Sequence, residues 1–411
     1  MNPHRDVLLH CFREALEAVN GEEVVRRQLV INKPKGAVHA VAIGKAAAAM
    51  AQGARAGLGG KLKRALVITR HGHGDEALSR DGRFLCLESD HPLPGEASLA
   101  AGGRLLAFIE ETPPDACLLF LISGGTSSLV EALPEGMTLA DLQRLNGWLL
   151  GSGLDIQAMN RVRSGVSRIK AGRLREYLGP RPAEVWLISD VPGNDPAVIG
   201  SGLLTPPRES SPLPTLPAGL SEMVHRAMAA HATPSPSAPS VPARVLANLE
   251  DACRAAGDAA RQRHCPVTVH GEFLKGEAAE RGAALAHWLM HEGRATPGVH
   301  VWGGETTVTL PENPGQGGRN QHLALAAARV LSGCPYVTLL AAGTDGSDGV
   351  TSATGALVDG GTWERIRAHG LDPDQALSTA NAHPCLQASG DLMETGPTGT
   401  NVMDLVIAHI S

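Results

Sequence analysis

The amino-acid sequence predicts two α/β domains. Three features carry that expectation. Short, fully apolar runs each end on a glycine or serine turn, helical stretches alternate with them, and a proline-rich interruption stops the pattern before it restarts. Strands alternating with helices imply βαβ units and a parallel sheet. At 411 residues with 43% hydrophobic side chains, the chain is long for one domain and able to bury two cores.

The elements follow in order. Leu8, Leu9, Phe12, Leu16 and Val19 recur at helical spacing, so an amphipathic helix comes first. That apolar run is too short and too interrupted for a signal peptide. Buried strands are expected at 38–43, 65–69, 84–87, 116–122 and 185–188, and helices at 45–58, 96–110 and 155–178. From 205 to 242 prolines punctuate the chain around a single helix at 218–231, and 233–242 is nearly all Ser, Pro and Ala. This reads as an extended connection. The expected boundaries are therefore 1–232 for the first domain, 233–243 for a Ser/Pro-rich linker and 244–411 for the second domain. The second domain should hold strands at 244–248, 267–269, 299–302, 306–310 and 336–342, with helices at 249–263, 276–291 and 318–331.

Composition excludes several functions. A net charge of −6 gives no basic footprint for DNA or RNA, and 3% aromatics offer few platforms for stacking bases. A small anion must be held by local cations instead. The seven cysteines are scattered without a CxxC pair, which argues against a disulfide framework or a zinc site and for a reducing, cytoplasmic setting. No stretch approaches the roughly 18 apolar residues of a membrane span.

In open α/β sheets ligands bind beyond the carboxyl ends of the strands, so the loops there are where chemistry is sought. Ser123-Gly124-Gly125-Thr126-Ser127-Ser128 follows an apolar strand and opens a helix. Free N–H groups and hydroxyls there suit a phosphate or carboxylate, though a glycine turn with a serine cap has the same letters. Gly44-Lys45 lies at a similar junction, where a lysine opposes the helix dipole and hints at an anionic partner. Asn160, Arg163 and Lys170 fall on one predicted helix at spacings that share a face. Such a run is either a solvated surface or a face aimed at phosphates or a carboxylate. Asp190 ends a strand, where it can bind Mg²⁺, accept a hydroxyl proton, or simply form an Asx-turn.

In the second half, Glu305 lies between apolar strands, a costly place for an unpaired acid. Arg319 stands at a helix start after a glycine-rich loop and invites a phosphoryl group. His322 reads as a satisfied helix-start histidine. Asp345 and Asp348, three apart on a glycine-rich loop, suit a hydrated Mg²⁺ or a ribose, with a structural acidic turn as the plainer alternative. Gly72-His73-Gly74-Asp75-Glu76-Ala77 matches a dinucleotide fingerprint, with Glu88 where a ribose acid would lie. However, 79–83 leaves almost no room for the crossover helix that fingerprint needs.

Together these stretches resemble the glycerate 2-kinase family, the class II glycerate kinases with a C-terminal MOFRL domain. The matching segments are Ala42-Ile43-Gly44-Lys45-Ala46, Ser123-Gly124-Gly125-Thr126-Ser127, Asn160-Arg161-Val162-Arg163 and Ser189-Asp190-Val191-Pro192-Gly193. They continue as Gly303-Gly304-Glu305-Thr306, Gly317-Gly318-Arg319-Asn320-Gln321, Gly343-Thr344-Asp345-Gly346-Ser347-Asp348-Gly349 and Gly396-Pro397-Thr398-Gly399-Thr400-Asn401. The usual Lys-Gly-Gly-Arg reads Lys170-Ala171-Gly172-Arg173 here.

The resemblance implies a Rossmann-like three-layer first domain, a mixed-sheet MOFRL-type second domain and an active site in the cleft between them. It implies transfer of the γ-phosphoryl group of ATP to the 2-hydroxyl of D-glycerate, with Mg²⁺, giving 2-phosphoglycerate and ADP. Lys45 and Arg319 look like the catalytic cations, acting on the travelling phosphoryl group and the substrate carboxylate, and Asp190 would orient or deprotonate the hydroxyl. Ser123, Gly124, Gly125, Thr126 and Ser127 would cradle an anion, aided by Asn160, Arg163 and Lys170, while Glu305, Asp345 and Asp348 would hold Mg²⁺ or nucleotide. The expected partners are D-glycerate and ATP, not nucleic acid or membrane, with homo-oligomerisation left open. Some relatives carry the label hydroxypyruvate reductase, so NAD(P)H-dependent reduction is the alternative enzyme reading. A non-catalytic anion sensor is the third.

Overall fold

The computed structural model describes residues 3–207, 212–230 and 238–411. Contacts divide the chain into two compact units: an amino unit, Gly21–Leu246, and a carboxyl unit made of Met1–Asn20 with Ala247–Ser411.

The amino unit is built on strands β1 (Val38–Ile43), β2 (Leu62–Arg70), β3 (Phe84–Ser89), β4 (Cys117–Ile122), β5 (Ala183–Ile188) and β6 (Ala243–Ala247), in the order β3-β2-β1-β4-β5-β6. β1 runs parallel to β2 and β4, β2 to β3, and β4 to β5. All six residues of β1 and of β4 are buried. Helices cover both faces of such a sheet, which is why these strands are continuously apolar rather than alternating. The strand order reverses between β1 and β4, so their carboxyl ends form the topological switch point of the sheet. A second cluster joins Leu142, Leu145 and Leu149 of helix Leu139–Gly151 to Val162 of helix Ile156–Gly165 and Val224 of helix Ala218–Ala229.

The carboxyl unit holds β7 (Val267–Val269), β8 (Gly298–Gly304), β9 (Val337–Gly343), β10 (Gly355–Asp359), β11 (Leu392–Met393) and β12 (Asp404–Ile410), ordered β11-β10-β9-β12-β8-β7. Neighbours are antiparallel except the parallel pair β7/β8. Helix Arg319–Leu331 runs through the core, with ten of its thirteen residues buried.

The contacts divide the chain differently from the expected boundaries at both ends. The amphipathic first helix, Pro3–Ala18, packs on helix Leu249–Gln262 and β12, inside the carboxyl unit. Arg5 fixes it there. Its Nη1 meets Asp359 Oδ2 at 2.6 Å, and its Nη2 donates to Leu357 O at 2.6 Å and meets Asp391 Oδ1 at 2.7 Å. The strand expected to open the second domain is β6, which extends the first sheet beside β5. The linker expected at 233–243 falls partly outside the described residues, which resume at 238.

Two expected elements are replaced. The helix expected at 155–178 ends at Gly165, and the chain then turns through Ala171 and Gly172, both at positive φ, into a short 3-10 turn, Arg173–Tyr177. The strand expected at 306–310 is a single bridge between Thr307 and Glu277.

Asp391 is the most buried acid of the Arg5 network, with 1% of its side chain exposed. Arg5→Ala leaves it to Arg365 alone. The expected cost is about 3 kcal/mol, checked by urea unfolding followed through the carboxyl unit's tryptophans.

Candidate active site

The switch point of the amino unit is closed by two turns made from each other. Ser123 N donates to Ile43 O (3.0 Å), Lys45 N donates to Gly124 O (2.9 Å), and Ala46 N donates to Ser123 Oγ (3.0 Å). The Thr126 hydroxyl donates to Ile43 O and Ser123 O. Gly44 lies at φ +126°, and a Cβ there would stand 2.2 Å from Ser123 Oγ and 2.6 Å from its carbonyl oxygen. Only glycine satisfies both the dihedral and the space. Ser123 and Thr126 are fully buried and tied to backbone, so they build the turn rather than present hydroxyls to a ligand.

Gly125, also at positive φ, brings the turn against His91 and Lys45. A Cβ on it would lie 3.2 Å from the His91 ring and 3.3 Å from Lys45 Cγ. From here a cavity of about 190 Å³ opens along the amino unit. Its polar lining is His91, Ser127, Ser128, Glu131, Asn146, Arg163 and Lys170, and Leu93, Leu142 and two prolines close its apolar side. Ser127 Oγ lies 2.7 Å from Ser201 Oγ.

The cations in this cavity are unequally matched. Lys170 and Glu131 form a buried pair, Nζ to Oε2 at 2.6 Å, with side chains 3% and 1% exposed. Arg163 donates its Nε to Asn146 Oδ1 at 2.9 Å. No carboxylate among the described residues pairs with its guanidinium. Burial, with nothing to offset it, lowers Arg163 below the ordinary arginine range. A partly buried cation without an acid is costly unless an anion completes it. Arg163 and Lys170 thus meet, but through the backward turn after Gly165 and not along one helix face. Asn160 and Asp190 stand outside the cavity lining. Asp190 follows β5 on the same carboxyl edge of the sheet.

The second cluster lies in the carboxyl unit, at the start of helix Arg319–Leu331. Arg319 places Nε 2.5 Å from Asp404 Oδ2, Nη2 3.0 Å from Asp404 Oδ1 and Nη1 2.7 Å from Glu305 Oε1. Burial works against its charge, yet Asp404 and Glu305 hold it above the ordinary arginine range. Asp348 has a structural task. Its carboxylate accepts from the backbone N–H groups of Asn320 (3.1 Å) and Gln321 (2.8 Å) and from both their side-chain amides. It caps the helix that carries Arg319. Burial pushes its carboxyl up to about 6, against the downward pull of those N–H groups. Asp345 Oδ1 accepts from Ser347 N and Oγ, both at 3.0 Å. His322 is not the satisfied histidine expected, since its buried Nδ1 has no partner. The glycine turn Gly72–Gly74 holds the Glu88 carboxylate through two backbone N–H groups, at 3.1 Å each. A helix of only four residues, Glu76–Ser79, follows it. That turn therefore grips an acid of its own chain.

Comparison with known proteins bears on what these clusters serve. Residues 7–214 match a domain of unknown function, DUF4147, and residues 298–404 match the MOFRL family. The D-glycerate 2-kinase of Thermotoga maritima is 36% identical, covering 99% of this chain and 98% of its own. This chain belongs to the glycerate 2-kinase family. A glycerate kinase crystal structure from Thermotoga maritima matches with a TM-score of 0.85 at 32% identity, covering 100% of both chains. A putative hydroxypyruvate reductase of Agrobacterium vitis is 37% identical, covering 98% of this chain and 93% of its own.

Within this glycerate 2-kinase family member, sequence reasoning missed Glu131, Asn146, Ser167, His91 and Asp404. Glu131 left one trace: it is a lone acid inside Leu129-Val130-Glu131-Ala132-Leu133. Asp404 left none, because its partner Arg319 lies 85 residues away.

Gly44→Ala is expected to cost more than about 3 kcal/mol, from strain and overlap together. Gly147→Ala, on a helix with nothing within 4 Å of the new Cβ, is the control and should be neutral or stabilising. Thermal melting of the two variants checks this.

Proposed function

We propose that this protein is an ATP-dependent glycerate 2-kinase, transferring the γ-phosphoryl group to the 2-hydroxyl of D-glycerate and releasing 2-phosphoglycerate and ADP. The observation that carries the reading is the cavity at the switch point, with Arg163 lacking an acid and Lys170 only partly matched. Its size, below the ~300–1,000 Å³ of clefts for drug-sized ligands, suits a three-carbon acid better than a whole nucleotide. Arg163, Asn146 and Ser127 would hold the glycerate anion.

Phosphoryl transfer needs positioning and charge stabilisation more than covalent help. Lys45, outside the cavity lining but beside Gly125, would bear on the travelling phosphoryl group. Asp190, on the same sheet edge, would orient the 2-hydroxyl and take its proton. Arg319 would supply the second cation. Asp404 holds two of its nitrogens on the buried side, and Glu305 holds the third in a more exposed pair that a phosphoryl oxygen can replace.

Among the described residues no group of three or more His, Cys, Asp or Glu side chains is arranged to hold a metal ion. A protein cage for Mg²⁺ does not fit. A Mg²⁺ carried by nucleotide phosphates needs only one or two protein carboxylates, and Asp345 and Glu305 are the candidates. Asp348 is committed to its helix. Bound there, the metal would neutralise phosphate charge.

Hydroxypyruvate reduction lacks support from the fold, because the fingerprint-like turn at Gly72 already binds Glu88.

Purified protein with D-glycerate and MgATP should release ADP and 2-phosphoglycerate, and should not oxidise NADH with hydroxypyruvate. Lys45→Ala and Arg319→Ala should each lower kcat at least about 100-fold, and wild-type turnover in either removes that residue from the mechanism. Arg163→Met should raise the KM for D-glycerate about 10- to 100-fold with a smaller effect on kcat, checked by steady-state kinetics at saturating ATP.

A further inference from the structure

Glu131 is one of the most enclosed acids of the amino unit, and no step of the reaction above uses it. Its backbone is pinned from behind. Glu131 N donates to Ser98 O at 3.0 Å, and a Cβ on Gly102 would stand 2.0 Å from Glu131 O, so helix Glu96–Glu111 lies directly on this peptide. Both oxygens of its carboxylate are engaged. Oε1 accepts from Ser167 Oγ at 2.5 Å and from Ala132 N at 3.0 Å, and Oε2 accepts from Lys170 Nζ at 2.6 Å.

Lys170 is in the opposite position. Its ammonium carries three N–H groups, and Glu131 Oε2 is their one acceptor among the described residues. Both residues line the cavity. Both oxygens of the acid are engaged, while the cation beside it keeps hydrogen-bonding capacity in a cavity that it lines.

We propose that Glu131 is a positioning residue for the kinase reaction: braced by Ser167 and the Ala132 peptide, it fixes the Lys170 ammonium on the cavity wall, so that its other N–H groups receive the substrate's anionic group. This rests on the glycerate kinase reading of the same cavity. Without that carboxylate the ammonium would lose its aim, since it has no other acceptor among the described residues. Arg163 and His91 line the same cavity, and Arg173 donates its Nη1 to the Lys170 carbonyl. None of these is an acid.

The test is steady-state kinetics at saturating ATP. In Glu131→Gln the shape is kept and the anchor of the ammonium is weakened, so the KM for D-glycerate should rise about tenfold with kcat little changed. In a Lys170→Met background the same substitution should add no further rise in KM. An unchanged KM in Glu131→Gln, or an effect of equal size once Lys170 is already removed, would overturn the proposal.

Should Glu131→Gln fail to fold, E131L/K170M removes both charges together, an exchange that buried pairs tolerate. Its KM for D-glycerate should rise at least about tenfold, and an unchanged KM overturns the proposal equally. Wild-type protein that releases no ADP with D-glycerate would defeat the kinase reading itself, a result distinct from either variant outcome.

Discussion

The amino unit depends on one close approach, that of Gly44 to Ser123. The two central strands of the sheet diverge into their helices at this point, and each turn is completed by atoms of the other. Ser123 accepts from Ala46, Gly124 accepts from Lys45, and Thr126 closes onto the end of β1. Neither turn has its geometry alone. The Lys45 backbone and the Gly124–Gly125 peptide therefore have one fixed relation. Preorganisation of this kind is what charge stabilisation requires, since groups already in place need not reorganise as charge develops.

Both clusters share a rule about cations. In each, a cation is anchored by a buried acid. Lys170 is anchored by Glu131, and Arg319 is anchored by Asp404, whose side chain is 6% exposed. Arg163 is the exception: a neutral amide, Asn146, orients it and leaves its charge unmatched. A molecule with a net charge of −6 can still attract a small anion if its local fields are arranged this way. The polarity of a cavity is set by neighbours a few ångströms away, and distant surface charge is screened within about 8–10 Å at ordinary salt.

The legible parts of this architecture were local. β1 and β4 with their glycine turns announced themselves, because a fully buried parallel strand is continuously apolar and the turn after it needs glycine. The loop before Arg319 was legible from its own glycines and the helix that follows them. What failed were inferences that assumed one element continued. Arg163 and Lys170 looked like neighbours on a helix at spacing seven. They line one cavity, but the helix ends at Gly165, before Lys170 is reached, a break that helical periodicity does not encode. Asp348, read as a metal or nucleotide ligand, caps a helix that begins 29 residues earlier in the chain at Arg319. Glu131 and Asp404 were invisible as partners because an ion pair between residues distant in sequence leaves no spacing to read.

The placement of helix Pro3–Ala18 has a consequence for biosynthesis. Its anchors are Leu357, Asp359 and Asp391, with separations of 352 to 386 residues along the chain. At ordinary elongation speeds of roughly 5–20 residues per second, the ribosome needs on the order of tens of seconds to deliver them. Over that interval the whole amino unit can be completed while an amphipathic segment made before it still lacks its binding surface. The apolar stripe of that helix waits first for helix Leu249–Gln262 and then for β12, so it docks only after the amino unit has been made.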